Sequence, residues 1–399
     1  MRRLPRIART VGVTGVVIAL VAWGGFRLYL QSGHARGMAA AQLTDMLGLP
    51  VEVESLSVGT VTSSVRFRVV APPADGGAPI EIARVAEATA DISIADVIAR
   101  RATPSEITLR GLELTLLIDR DGRLLTRLPQ ALGSTTAAAF AVRVQESRLT
   151  IHQEGRPDFI LGGVGLHVSL SAGRYTAVGD IHDAAWGPWD VHGDFDRASG
   201  AGTLILTTAD GSLVPDLLRS IPYVTPATWE AVVPNGKSAA RVTLSLKDGG
   251  PVRYDVELKP AAAALTLPDL NVALTNVIGT IHIHDARVDL TDCQATLADG
   301  TITVNGELDF KPQPDILKFN VHASNVDVRR LPAEWSLPHG IEGRLRGRAD
   351  VTLKVFEKGR VETQGTGRGT VVGAKLGGVP AEITLNLHTE SNRLLFHSE

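Results

Sequence analysis

Cysteine is almost missing from this chain. Cys293 is the single one in 399 residues, which excludes an internal disulfide and any zinc site built on cysteine. One free thiol fits a cytosolic or an exported protein, so the redox compartment stays open. Aromatic residues are scarce as well, at 5%. Neither sign of charge dominates: 40 Lys and Arg stand against 43 Asp and Glu, for a net charge of −3. No basic stripe of the kind that nucleic-acid binding needs is present, and no nucleic-acid partner is expected. Catalytic signatures are absent too. There is no Gly-x-Ser-x-Gly elbow to mark a nucleophile. Gly162-Gly163-Val164-Gly165 lacks the Lys-Ser/Thr that follows in a phosphate loop. Neither a catalytic residue nor a cofactor is expected.

What is present favours β structure. Hydrophobic content is 44%, enough for cores, and 40 glycines punctuate alternating Val, Leu and Thr. The clearest strand is Gly300–Phe310, with Ile302 and Val304 on one face and Thr301, Thr303 and Asn305 on the other. It has an echo at Gly187–Asp196, 113 residues earlier (300 − 187). Further matches pair Leu217 with Leu331, and Val242-Thr243-Leu244 with Val351-Thr352-Leu353. A β unit of about 110 residues occurring twice implies stacked elements rather than one closed globule. The same alternation runs along the chain. Val242, Leu244 and Leu246 face away from Thr243, Ser245 and Lys247; Ile281 and Ile283 oppose His282 and His284. Val351 and Leu353 oppose Thr352 and Lys354, and Ile383, Leu385 and Leu387 oppose Thr384, Asn386 and His388. One apolar and one wet face is the pattern of antiparallel sheets covered on one side. Ile107–Leu116 reads as a strand pair broken near Gly111. Helical candidates are few: residues 36–48, Ile94–Ala99, Leu213–Arg219 and Val326–Leu331.

The N-terminus sets the expected compartment. Arg2, Arg3, Arg6 and Arg9 precede an apolar run from Val11 to Leu30 broken only by Arg27. About 20 residues at 1.5 Å each span a hydrocarbon core. The basic flank stays cytoplasmic, which sends the body across the membrane. An uncleaved anchor is expected; a cleaved signal peptide is the competing reading.

A run of features then resembles a known family. A membrane anchor precedes a short helix ending in Leu47-Gly48, followed by Val51-Glu52-Val53. A Ser-Ile-x-Asp-Val-Ile segment, Ile107-Thr-Leu-Arg-Gly-Leu-Glu-Leu and Asp119-Arg-Asp-Gly-Arg-Leu continue the pattern. Together they resemble the N-terminal region of the AsmA-like superfamily, which includes the TamB and YdbH types. Trp186-Gly187-Pro188-Trp189 and Ala295–Leu331 resemble its repeats. The resemblance implies a mainly β fold: an elongated, twisted antiparallel sheet curled into a U-shaped groove, with a few short helices and one N-terminal transmembrane helix. It also implies an inner-membrane-anchored periplasmic protein that carries phospholipid between envelope membranes. Residues 1–9 would form a cytoplasmic basic tail, 10–30 the anchor, and 36–130 an N-terminal αβ region. Residues 131–250 and 251–399 would be two β-groove repeats, the second ending within a strand. A β-edge partner or further chain at that end is expected.

On this reading Val242, Leu244, Leu246, Ile281, Ile283, Ile302, Val304, Val351, Leu353, Ile383, Leu385 and Leu387 line the groove, and the partners are membrane lipids held by their acyl chains. The alternatives are a structural envelope scaffold or adhesin-like β solenoid with a sealed core, and a periplasmic hydrolase resting on scattered His and Asp. His282 and His284 share a strand face and could bind a metal with Asp285 or Asp289. The plain reading makes them outward polar residues, and no metal is assigned. Cys293 reads as filler, and Trp186 and Trp189, flanking Gly187-Pro188, as turn packing.

Overall fold

A computed structural model describes residues 33–398, apart from 60, 72–78, 94–103, 121–123, 127–140, 172, 198, 223, 225–231, 248–252, 269–270, 285, 313, 333–339, 357–359 and 391–392. The expected anchor at 10–30, the helix at 94–99, Asp285, Trp229 and Trp335 lie outside the described residues. No helix among the described residues is long and apolar enough to cross a membrane. Among the described residues the fold is mainly β with few helices, and its pairing is chiefly antiparallel. Its contacts divide the chain into two units, at Gly179/Asp180.

The first unit opens with α1 (Gly33–Leu47). Its Ala39-Ala40-Ala41 run favours a helix. Gly48, at φ 65°, ends it, with its N–H on Thr44 O at 2.8 Å. Six strands follow: β1 (Val51–Val58), β2 (Ser63–Ala71), β3 (Ile80–Ala90), β4 (Glu106–Ile118), β5 (Ala141–Gln153) and β6 (Phe159–Ser171). β7 (Arg174–Asp183) spans the division. Two expectations are corrected here. Ile107–Leu116 lies in one continuous strand, because Gly111 takes φ 60° and absorbs the irregularity without ending the ladder. And β4 pairs with β5 in parallel, against the antiparallel expectation. The connection from Ile118 to Ala141 is long enough to return the chain to its starting end, which a tight hairpin cannot do.

The second unit contains β8 (Gly187–Asp196), β9 (Gly202–Leu213), α2 (Pro215–Arg219), β10 (Val233–Leu246), β11 (Arg253–Pro260), β12 (Ala263–Leu267), β13 (Val272–His284), β14 (Arg287–Leu297), β15 (Gly300–Asp309) and β16 (Asp315–Asp327). A 3-10 turn (Val328–Arg330) leads to β17 (Ile341–Val355), β18 (Val361–Leu376), β19 (Val379–Pro380), β20 (Ile383–Glu390) and β21 (Arg393–Ser398). Most strands pair with their chain neighbour: β8 with β9, β9 with β10, β10 with β11, and β13 through β18 in succession. The strands on either side of residue 250, β10 and β11, are direct partners.

The internal echo recurs as structure. β7, β8, β9 and α2 begin at Arg174, Gly187, Gly202 and Pro215; β14, β15, β16 and the 3-10 turn begin at Arg287, Gly300, Asp315 and Val328. Each start is displaced by 113 residues (300 − 187, 328 − 215). Buried Leu218 therefore matches buried Leu331, which corrects the expected match of Leu217. Turn chemistry holds these hairpins. Asp183 Oδ1 accepts from the backbone N–H of Ala185 and Trp186 at 2.8 and 3.0 Å. Trp189 Nε1 donates to Trp186 O at 3.2 Å, and Trp186 is buried, so this pair packs a turn. Between β14 and β15, Ala298 and Asp299 both take positive φ, the two-residue turn whose twist suits a hairpin.

Candidate functional site: a two-faced sheet

The site is a surface, and its unit is the cross-strand row. Directly opposed residues in a ladder point to the same face. In the second unit one row runs Val191, Leu206, Val242, Val256, Ile283, Val288, Leu308, Leu317, Leu353, each the register partner of the next. Nine strands thus contribute nine aliphatic side chains in line. The next row on that face is Ala240, Leu258, Ile281, Leu290, Gly306, Phe319, Val351. Further along come Cys293, Val304, Val321, Ala349, Gly367, Leu387, and then Ala295, Ile302, Ala323, Gly347, Gly369, Leu385. All twelve residues expected to line a groove lie on this one face.

Coverage of the face is uneven. Ile302, Ile383 and Leu385 join Val272, Leu274, Val326, Val328, Leu331, Ile341 and Leu345 in a buried core; Leu387 is buried as well. Gly347 and Gly369 help close this end: a Cβ on Gly347 would stand 2.8 Å from Gly369 Cα, so only glycine permits the approach. Val242, Leu244, Leu246, Ile281, Ile283, Val304, Val351 and Leu353 are half-buried, and of these Val304 packs against the core. Four of the twelve are therefore core residues, and the remainder keep contact with solvent.

The opposite face is charged. Asp190, Thr207, Arg241, Glu257, His282, Asp289, Glu307, Lys318, Thr352 and Gln364 form one row across ten strands. Arg287 bridges Asp289 at 3.1 Å and Glu307 at 3.0 Å. A shallow hollow of about 430 Å³ on this face is lined by His322, Arg346, Arg348 and Arg368 among others. Arg348 stands between His322 and Arg368 as register partner of both.

The first unit repeats the arrangement in its own strands. Val51, Val69, Ala83, Leu114, Leu149 and Leu161 form one apolar row, and Leu56, Val65, Ala88, Leu109, Val144 and Leu166 another. Glu52, Arg68, Arg84, Glu113 and Arg148 form a row on the charged face, where Arg68 meets Glu52 at 2.6 Å. Leu43 and Leu47 of α1 pack against a core built on Val51, Phe67, Val69 and Val85. Helix α1 thus covers part of the apolar face. The one-residue alternation of sequence reveals both faces. It does not reveal which stretch of a face is sealed.

Gly162–Gly165 lies within β6 and forms no loop. Cys293 is half-buried on the apolar face, where burial raises its thiol pKa above the ordinary value. His282 and His284 do share the charged face, with ring centroids 4.7 Å apart, and Asp289 stands opposite His282. Comparison with family models, with curated proteins and with solved structures finds no match for this chain.

Proposed function

We propose that this chain is an exported, membrane-anchored lipid-handling protein of AsmA-like type, with residues 10–30 in the inner membrane and the body in the periplasm. Acyl chains would lie along the apolar rows, as in a groove, and headgroups would stay in water. The observation that carries the reading is the half-open state of the row Leu206–Leu353. A sealed scaffold would bury such a row completely. Buried methylenes contribute about 0.8 kcal/mol each, so a partly covered acyl chain is held without a polar pocket. A uniform aliphatic surface lets the chain slide, with direction supplied elsewhere. The N-terminal pattern and the repeated β unit support the same reading.

The test is to extract lipid from the purified, detergent-washed full chain and from a control membrane protein of similar size. Phospholipid above the control is expected. It should fall to the control level when Leu308 and Leu317 are changed to Asp in the half-open row. Lipid at the control level in the unaltered chain would favour the sealed scaffold instead.

A further inference from the structure

We propose that His282, His284 and Asp289 form a zinc-type metal site on the charged face of the second unit. The proposal does not depend on lipid binding, because these residues lie on the opposite face from the apolar rows. The β13–β14 hairpin builds the site. His282 and His284 are two apart on β13 and so point the same way. Asp289 is the direct register partner of His282. One donor atom from each of the three residues falls within 4.8 Å of the others.

Two details favour a metal over an ordinary polar cluster. First, His284 Nδ1 is out of reach of water and has no hydrogen-bond partner among the described residues. Such atoms are rare and costly in native proteins. It faces Asp289 Oδ2 at 3.8 Å. Two ligands of a tetrahedral zinc, each at about 2.0–2.1 Å, are roughly 3.3 Å apart. A shift of a few tenths of an ångström therefore closes the pair around an ion. Second, the surrounding contacts leave the ligating atoms available. Arg287 engages Asp289 through Oδ1, so Oδ2 remains for a metal. Asp255 Oδ2 lies 2.9 Å from His282 Nε2. With Nε2 donating to that carboxylate, the Nδ1 lone pair is left for a metal, the carboxylate–histidine arrangement that orients metal ligands. Two imidazoles and one carboxylate suit zinc and not magnesium or calcium. The site is only partly buried, which leaves the fourth position to water or an exogenous ligand.

The test is equilibrium dialysis of the full chain in detergent against Zn²⁺, with Mg²⁺ in parallel, and Co²⁺ as a spectroscopic probe. One Zn²⁺ per chain, no Mg²⁺, and the visible d–d bands of tetrahedral Co²⁺ are expected. His284→Ala and Asp289→Asn should each weaken zinc by roughly tenfold or more. His152→Ala, at a His–Asp pair elsewhere, should leave it unchanged. Circular dichroism checks that the variants keep their β content. If His284→Ala fails to fold, the cobalt spectrum of the unaltered chain decides. Zinc well below one per chain, octahedral cobalt, or folded variants that bind as before would overturn the assignment.

Discussion

Asp327 illustrates what a single side chain contributes. It is the last residue of β16 and caps the 3-10 turn, accepting from Arg329 N–H at 3.1 Å and pairing with its guanidinium at 3.1 Å. Its side chain is 5% exposed. The Arg329 hydrogen bond holds its carboxyl below the usual carboxylate range, against the opposing effect of burial. A depressed folded-state pKa stabilises the fold above the unfolded value of 3.8. That stabilisation is lost as pH falls through the folded value. Asp327→Ala should cost about 1–2 kcal/mol at neutral pH, from the lost cap. The acid arm of a urea-midpoint profile below about pH 4 should flatten in the variant; an unchanged arm would contradict the account. Cys293 offers a second residue-scale measurement. Half-buried and less acidic than a free thiol, it should react with a maleimide at least tenfold more slowly in the folded chain than in urea. Added phospholipid should slow it further if acyl chains cover the row that Cys293 shares with Val304. The His282/His284 pair could be read from the sequence because period 2 puts both on one face. The orphaned His284 nitrogen could not be, since it depends on what the neighbouring strand places against it; the Asp327 cap is a local contact with Arg329, two residues on.

At the scale of the element, β15 carries a contrast within one face. Ile302 is 8% exposed and belongs to the core, while Leu308, six residues on, is half-buried. Ile302→Asp should therefore unfold the second unit, since burying an unpaired carboxylate costs several kcal/mol. Leu308→Asp should lower the thermal midpoint by only a few degrees, and limited proteolysis of the two variants separates the cases. Equal loss at both positions would mean that the face is sealed along its length. Strand facing was legible where the residues alternate, because the alternation of Ile302, Val304 and their neighbours is a local property; the continuity of Ile107–Leu116 through Gly111 was not. The Gly187 and Gly300 starts were legible for the same reason. The parallel β4–β5 pair was not, since parallel pairing is set by the path of a long connection and leaves no mark on either strand. Nor was the Leu218–Leu331 match, which a one-residue drift in the alignment displaced.

For the whole molecule, the separation of apolar from charged surface is repeated in both units, and function is accordingly assigned to rows. Lipid extraction reads the rows of both units together.

From β13 to β18 every strand pairs with the strand before it. Four of the five closing connections are short, the exception being the one from Asp327 to Ile341, so little chain entropy is lost before most new pairings are made. A chain delivered N-terminus first can therefore zip this sheet in the order of its arrival, each strand docking on an edge that already exists. The growing edge exposed to aggregation at any instant then belongs to the strand most recently added.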